Sequence, residues 1–226
     1  MATDINPNGI GANSICVIPG DGEDEIWLMV GRVINGSLTR TIERMKPRDW
    51  GDDMEDMFFV DAGLTYDSTA TTSITGLDHL EGETVAILGD GAVLPTQTVS
   101  SGSITLAESV SVAQVGLPFT YKLKPMRMDQ NTSKGTSKGS IKKISEAVIS
   151  FYNTLNAKYG DGIDTHTIPW RETAAEYTSP PDLVTGDKVV VADGGFSVED
   201  PFQIEGSDPM PCTVRCIIPR LEQTGR

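Results

Sequence analysis

Hydrophobic positions along this chain come in short runs, and most alternate with polar ones at the two-residue period of a β-strand, not the 3.6-residue period of a helix. The clearest case spans Glu25 to Ile34, then Asn35-Gly36, then Ser37 to Met45. Asn and Gly tolerate positive φ, which a type I′ turn needs at both central positions, so the segment is predicted to be a β-hairpin. Its second arm sets Leu38, Arg40, Ile42 and Arg44 against Thr39, Thr41, Glu43 and Met45. Neither set is uniformly apolar, which suits a ribbon near an edge or interface better than a central core strand.

More strands are predicted at Phe58 to Val60, Thr71 to Ile74, Thr84 to Leu88, Val93 to Val99, Ser103 to Leu106 and Ser109 to Val115, with tight turns at Gly89-Asp90-Gly91 and Ser100-Ser101-Gly102. Short strands at this spacing indicate a small sandwich or barrel. The segment before them, 46–56, carries Pro47, Gly51 and the carboxylates of Asp49, Asp52, Asp53, Glu55 and Asp56, whose repulsion predicts a solvated linker. Further on, Ile141, Ile144, Val148, Phe151 and Leu155 fall at helical spacing, while Ala147, Ile149 and Phe151 alternate. A short helical turn followed by a strand from about Glu146 to Thr154 is expected there. Strands at Lys188 to Val191, Phe202 to Glu205 and Cys212 to Pro219 complete the reading. The expected fold is all-β: two small β-sandwich or barrel-like domains of short antiparallel strands, with an N-terminal β-hairpin. The boundaries are a hairpin segment at 1–50, a first domain at 57–118 and a second at 119–226, which the hairpin could complete.

Composition narrows the function classes. The longest apolar cluster, Ile26 to Val30, is five residues long, far short of the roughly 18 a membrane helix needs. Met1 to Gly11 is polar and shows no secretory signal, so a cytosolic origin is expected. Cys16, Cys212 and Cys216 have no CxxC spacing and are read as small buried apolar residues, with Cys212 and Cys216 on one face of a strand. A net charge of −14 repels a phosphate backbone, which disfavours sequence-specific nucleic-acid binding. That charge is uneven. Lys122 to Lys143 holds seven basic residues and one acidic residue, Asp129, and contains the tandem repeat Thr132-Ser133-Lys134-Gly135, Thr136-Ser137-Lys138-Gly139. Such a tract reads as a mobile polar loop.

Motifs with chemical meaning are weak. Gly135-Thr136-Ser137-Lys138-Gly139 matches G-x-S-x-G, but that nucleophile elbow needs a strand before the serine and a helix after it, and here it sits inside a polar repeat. His79 is expected to be a turn residue hydrogen-bonded to backbone, with Asp78 capping the turn. Asp161, Asp164 and His166, like Asp21-Gly22-Glu23-Asp24-Glu25, lack the spacing of a calcium loop and read as solvated acidic turns. No catalytic, cofactor or metal residue is assigned, and no cofactor is expected.

Several phrases carry more information in sequence than any of these motifs. They include Ser14-Ile15-Cys16-Val17-Ile18-Pro19, Phe59-Val60-Asp61-Ala62-Gly63-Leu64-Thr65-Tyr66-Asp67, Leu77-Asp78-His79-Leu80-Glu81-Gly82 and the closing Pro209-Met210-Pro211-Cys212-Thr213-Val214-Arg215-Cys216-Ile217-Ile218-Pro219. Over residues 14–222 their order resembles the C-terminal part of tail hub or tail tube nozzle proteins of short-tailed bacteriophages. The family's large β-rich N-terminal portion lies outside the match, so a short member, a split gene product or a fragment is expected. The resemblance implies a non-enzymatic virion component, assembled in the host cytoplasm. Copies would form a homo-oligomeric ring, extend the tail tube beside other tail proteins and let DNA pass without a membrane role. Candidate contacts between copies are Lys134, Lys138, Lys142 and Lys143 of the basic tract against Asp52, Asp53, Glu55 and Asp56. The alternative is an all-β carbohydrate- or receptor-binding module of a virion or cell-surface protein.

Overall fold

A computed structural model describes residues 11–20, 22–47, 49–51, 53–129, 131–132, 135–171, 180–199 and 202–223. It is nearly all β, in several small antiparallel sheets, and divides between Phe119 and Thr120 into two compact units.

The first unit begins with a three-stranded antiparallel sheet of β1 (Gly11–Ile18), β2 (Glu25–Ile34) and β3 (Ser37–Arg44), in that order. The hairpin forms as expected. Asn35 and Gly36 take φ of 48° and 76°, the two positive values of the tight turn, and set the register Val33 opposite Leu38 and Met29 opposite Ile42.

A four-stranded sheet follows, built of β4 (Asp61–Thr75), β5 (Thr84–Gly89), β6 (Ala92–Thr98) and β7 (Ser103–Leu117) in the order β4-β7-β5-β6. Its long strands correct the expected short ones. The strands anticipated at 103–106 and 109–115 are one strand, because the stretch 106–109 bulges opposite Thr72 alone and the ladder resumes at Val110. Thr71 to Ile74 is likewise the end of β4, and Phe58 to Val60 is loop. On one side of the sheet Ile74, Val85, Ile87, Ile104, Val110 and Val115 form a buried cluster with Leu77 and Leu80, and Ile34 of the hairpin joins it. β4 and β7 approach closely at Gly63 and Gly116, where a Cβ on Gly116 would lie 2.7 Å from both the Asp61 carbonyl and the Gly63 Cα.

The segment 46–56 is not a free linker. Met57 just after it is fully buried, Trp50 meets Phe59 edge-to-face at 5.3 Å, and Gln114 Nε2 donates to the Glu55 carbonyl at 3.0 Å. Met54–Asp56 form a turn of 3₁₀ helix, while Asp49, Asp53 and Asp56 keep their side chains in solvent. The backbone is anchored and the charges stay hydrated, which satisfies both demands at once. The turn at 77–82 also differs in detail: Asp78 caps nothing, and the Glu81 carboxylate accepts from Ser101 N and Gly102 N at 2.9 and 2.8 Å. Those two bonds, Gly102 first, hold the Glu81 carboxyl below its usual pKa. His79 is a turn residue bonded to backbone, its Nε2 donating to the Ala62 carbonyl at 2.7 Å.

The second unit contains β8 (Tyr121–Leu123), β9 (Asn131–Thr132), β10 (Gly135–Thr136), β11 (Lys142–Thr154), β12 (Lys158–Gly160), β13 (Thr165–Thr167), β14 (Val184–Val191), β15 (Gln203–Gly206) and β16 (Thr213–Gln223). They form a β14-β11-β16 sheet, a β13-β12-β15-β8 sheet and a β9-β10 ribbon. The helical turn expected before Glu146 is strand. Buried positions run Lys142, Ile144, Ala147, Ile149, Phe151, and the three-residue step is a β-bulge between Ile144 and Glu146, which counterfeits helical spacing. A second bulge, with Arg215 of β16 as the extra residue opposite Ser150 and Phe151, breaks the parity expected of Cys212 and Cys216, and Cys212 lies before β16 begins. Cys16 and Cys216 are exposed and Cys212 is half-buried, which corrects the buried reading of all three. The Cys212 thiol lies against the Tyr121 hydroxyl, and burial pushes both pKa values up.

Candidate functional site

Alternation in β2 and β3 sorts the first sheet into two faces. Val30 and Ile34 turn inward with half-buried Thr39, Thr41 and Glu43, whereas Met29, Val33, Leu38, Arg40, Ile42 and Arg44 are exposed, Ile42 at 76%. Cys16 and Ile18 of β1 extend the exposed face beside Trp27. β1 projects further still: Ile15 and Val17, on its opposite face, are 64% and 58% exposed. Among the described residues neither β1 nor β3 has a strand on its outer side. Among the described residues the two edges offer backbone groups to pair and the mixed face offers apolar area to bury, features an association surface needs.

This sheet is held rigidly to its unit. The Arg32 guanidinium forks onto Glu43, with Nε and Nη2 each 2.8 Å from a carboxylate oxygen, and Nη1 reaches Asp61 at 3.4 Å. Thr41 Oγ1 also donates to Glu43 at 2.7 Å. Burial pushes the Glu43 carboxyl up, but Arg32 and Thr41 outweigh it and leave its pKa lowered. At the hairpin tip Asn35 N donates to Glu83 Oε1 at 2.7 Å.

The second unit has a comparable face. On β11 the residues that alternate with its buried set bring Val148 between Val189 of β14 and Ile218 of β16, with Val189 and Ile218 both about 60% exposed. Tyr152 and Val191 are exposed on the same side, and the Arg215 guanidinium lies 4.7 Å over the Tyr152 ring.

A cleft of about 240 Å³ opens in the second unit among Tyr159, His166, Phe202, Asp161, Asp193 and Gly195. Tyr159 lies tilted between two rings, 5.5 Å from His166 and 6.4 Å from Phe202. His166 Nε2 is 3.4 Å from Asp193 Oδ2. The Asp161 carboxylate accepts from Asp164 N and Ile163 N at 2.9 and 2.8 Å, which lowers its pKa and marks it as a turn cap. Among the described residues no group of three His, Cys, Asp or Glu side chains is placed to hold a metal ion.

The expected contact residues are spread over both units. Lys134 and Asp52 lie outside the described residues, as does Asp21 of the first acidic turn. Lys138 is exposed and Lys143 half-buried, whereas Lys142 is 1% exposed and its Nζ donates to the Met128 carbonyl, so its charge is committed inside the unit. Two further residues of the basic tract form surface ion pairs: Lys122 Nζ is 3.3 Å from Glu205 and Arg127 3.8 Å from Glu199. Asp53 and Asp56 are exposed and Glu55 is half-buried. The repeat is not simply loose either. Ser137 is buried and its hydroxyl donates to Asp129 Oδ1 at 3.2 Å, an arrangement that presents no exposed nucleophile. The mixed pattern of Leu38, Arg40, Ile42 and Arg44 had marked the hairpin as an edge or interface ribbon, whereas nothing in the sequence had singled out the exposed face of β11.

Compared with known proteins, the chain is matched by no family model and by no curated protein sequence. Among the described residues no helix is long and apolar enough to cross a membrane.

Proposed function

We propose that the chain is a non-enzymatic structural component of a bacteriophage tail, a hub- or nozzle-like subunit whose copies assemble into a ring or tube through which DNA passes. The observation that carries this reading is the β1–β3 sheet, whose outward face exposes Met29, Val33, Leu38 and Ile42 and whose two edges carry no further strand among the described residues; Ile34 in the core, Arg32 Nη1 on Asp61 and Asn35 N on Glu83 tie it to its unit. Rigid antiparallel sheets with outward apolar faces are what a wall of repeated subunits requires. A net charge of −14 further supports it, since an acidic lumen lets DNA slide instead of adhering. Negative-stain images of the purified chain test it: rings of defined copy number are expected, and a field of single particles would overturn it.

A second reading is favoured by one observation, the cleft that gathers Tyr159, His166 and Phe202 near Asp161 and Asp193. Aromatic rings beside carboxylates suit a carbohydrate ligand, whose hydroxyls need acceptors and whose ring faces stack on aromatics. A glycan array decides between the two. Retention lost in Tyr159→Ala supports a binding module, and no retention removes it.

A further inference from the structure

The β1–β3 sheet points to how neighbouring copies join, an inference that rests on the ring reading above. We propose that β1 of one copy pairs with β3 of the next, so that the three-stranded sheets continue from subunit to subunit as one sheet. Three observations lead there. β1 and β3 are the two outer strands, each eight residues long, or about 26 Å of ladder at the usual rise per residue. Both run antiparallel to β2 and therefore parallel to each other, so a copy rotated about an axis along the strands presents its β3 to the preceding β1 in parallel pairing. Finally, β1 is exposed on both faces, as a strand is when it waits to be flanked.

The face and its charges agree with this occupant. Cys16 and Ile18 lie on the same side as Leu38, Arg40, Ile42 and Arg44, so joining the edges makes one continuous surface on that side, apolar side chains alternating with arginines. β1 itself carries no charged residue, while the turn that follows it exposes Glu23 and Asp24 at the end where β3 carries Arg44. A β3 arriving from the next copy therefore brings Arg44, which its own Glu25 already pairs at 2.7 Å, beside further carboxylates, while Arg40 lies level with Gly11 at the other end of β1. A two-fold β1-to-β1 pairing would place those carboxylates away from any arginine of the partner strand. It would also close after two copies and leave each β3 edge open.

Cysteine cross-linking of the full chain tests the seam. Cys212→Ser and Cys216→Ser leave Cys16 as the native thiol, and Leu38→Cys, Arg40→Cys, Ile42→Cys and Arg44→Cys are added one at a time. All four positions are exposed, and an adjacent strand lies within disulfide reach. Under mild oxidation with diamide, at least one of the four is expected to give a covalent ladder extending past the dimer while chains carrying Cys16 alone or the added cysteine alone give no dimer, the combination that head-to-tail pairing produces. Dimers of the chain carrying Cys16 alone would overturn the proposal in favour of two-fold pairing. Intact rings with no cross-link at any of the four would overturn it while leaving the ring itself standing. Absence of rings in the unmodified chain would instead remove the reading on which it rests.

Discussion

The two sheets of the first unit use one alphabet to opposite ends. In the β4–β7 sheet, β5 runs Val85, Ala86, Ile87, Leu88 and Gly89 buried on both faces, with the core cluster on one side and the 46–60 segment on the other. In the β1–β3 sheet only the inner face is covered, and Met29, Val33, Leu38 and Ile42 stand in solvent. Both are antiparallel ladders rich in Val and Ile. The difference lies in what the chain supplies as cover: the β4–β7 sheet is covered by its own sequence, whereas the described residues leave one face of the β1–β3 sheet in solvent, the face on which the proposed assembly rests.

That division gives variants a clear order of effect. Ile87→Ala empties a fully buried position of the closed sheet and should cost about 2–5 kcal/mol in urea unfolding, with collapse of the unit the extreme outcome. Next, Gly116→Val forces a side chain into the Asp61 carbonyl and Gly63, a loss of about 1–3 kcal/mol that the same unfolding curve measures. Arg32→Met strands the Glu43 carboxylate where the two sheets meet and should cost about 1–2 kcal/mol, visible as faster hydrogen exchange in β2 and β3 with β5 unaffected.

The same pair gives a pH test with a definite sign. Glu43 has a lowered pKa when folded, so its contribution is complete above the ordinary carboxylate range and disappears as pH falls through the lowered value. Protection of the β2 and β3 amides against hydrogen exchange, taken relative to the intrinsic rate at each pH, should fall over that acid window in the native chain and lose this pH dependence in Glu43→Gln. Smallest in stability is Ile42→Asp. Its side chain is largely solvated, so unfolding should shift by no more than about 0.5 kcal/mol while association is lost. Equal stability effects at Ile87 and Ile42 would erase the contrast between the sheets.

How much of this was legible depends on where a strand keeps strict parity. Asn35-Gly36 declared its hairpin, and Gly89 to Gly91 and Ser101-Gly102 declared their turns, because positive φ leaves a residue signature. Bulges leave none. The stretch 106–109 looked like a break and is a bulge inside β7, and Ile141, Ile144 and Val148 looked helical where a bulge at Ser145 interrupts the strand parity. Lys142 was counted with a solvated basic tract, yet its place in β11 turns it inward to Met128. The exposed face of β1–β3 was half legible: the mixed pattern of β3 marked its solvent-facing positions, but the exposure of β1 on both faces depends on what its neighbours fail to cover. Charge repulsion in 46–56 was read correctly for its carboxylates, though not for a backbone that Gln114 and Met57 pin down.

The claim that the β1–β3 sheet is where copies meet is tested most directly by the solution mass of the native chain beside Ile42→Asp, measured by light scattering at matched concentration. The account predicts a native mass at a fixed multiple of 24.3 kDa and a variant of unchanged secondary structure at the mass of one chain. A native chain already at the single-chain mass, or a variant that keeps the multiple, would contradict it.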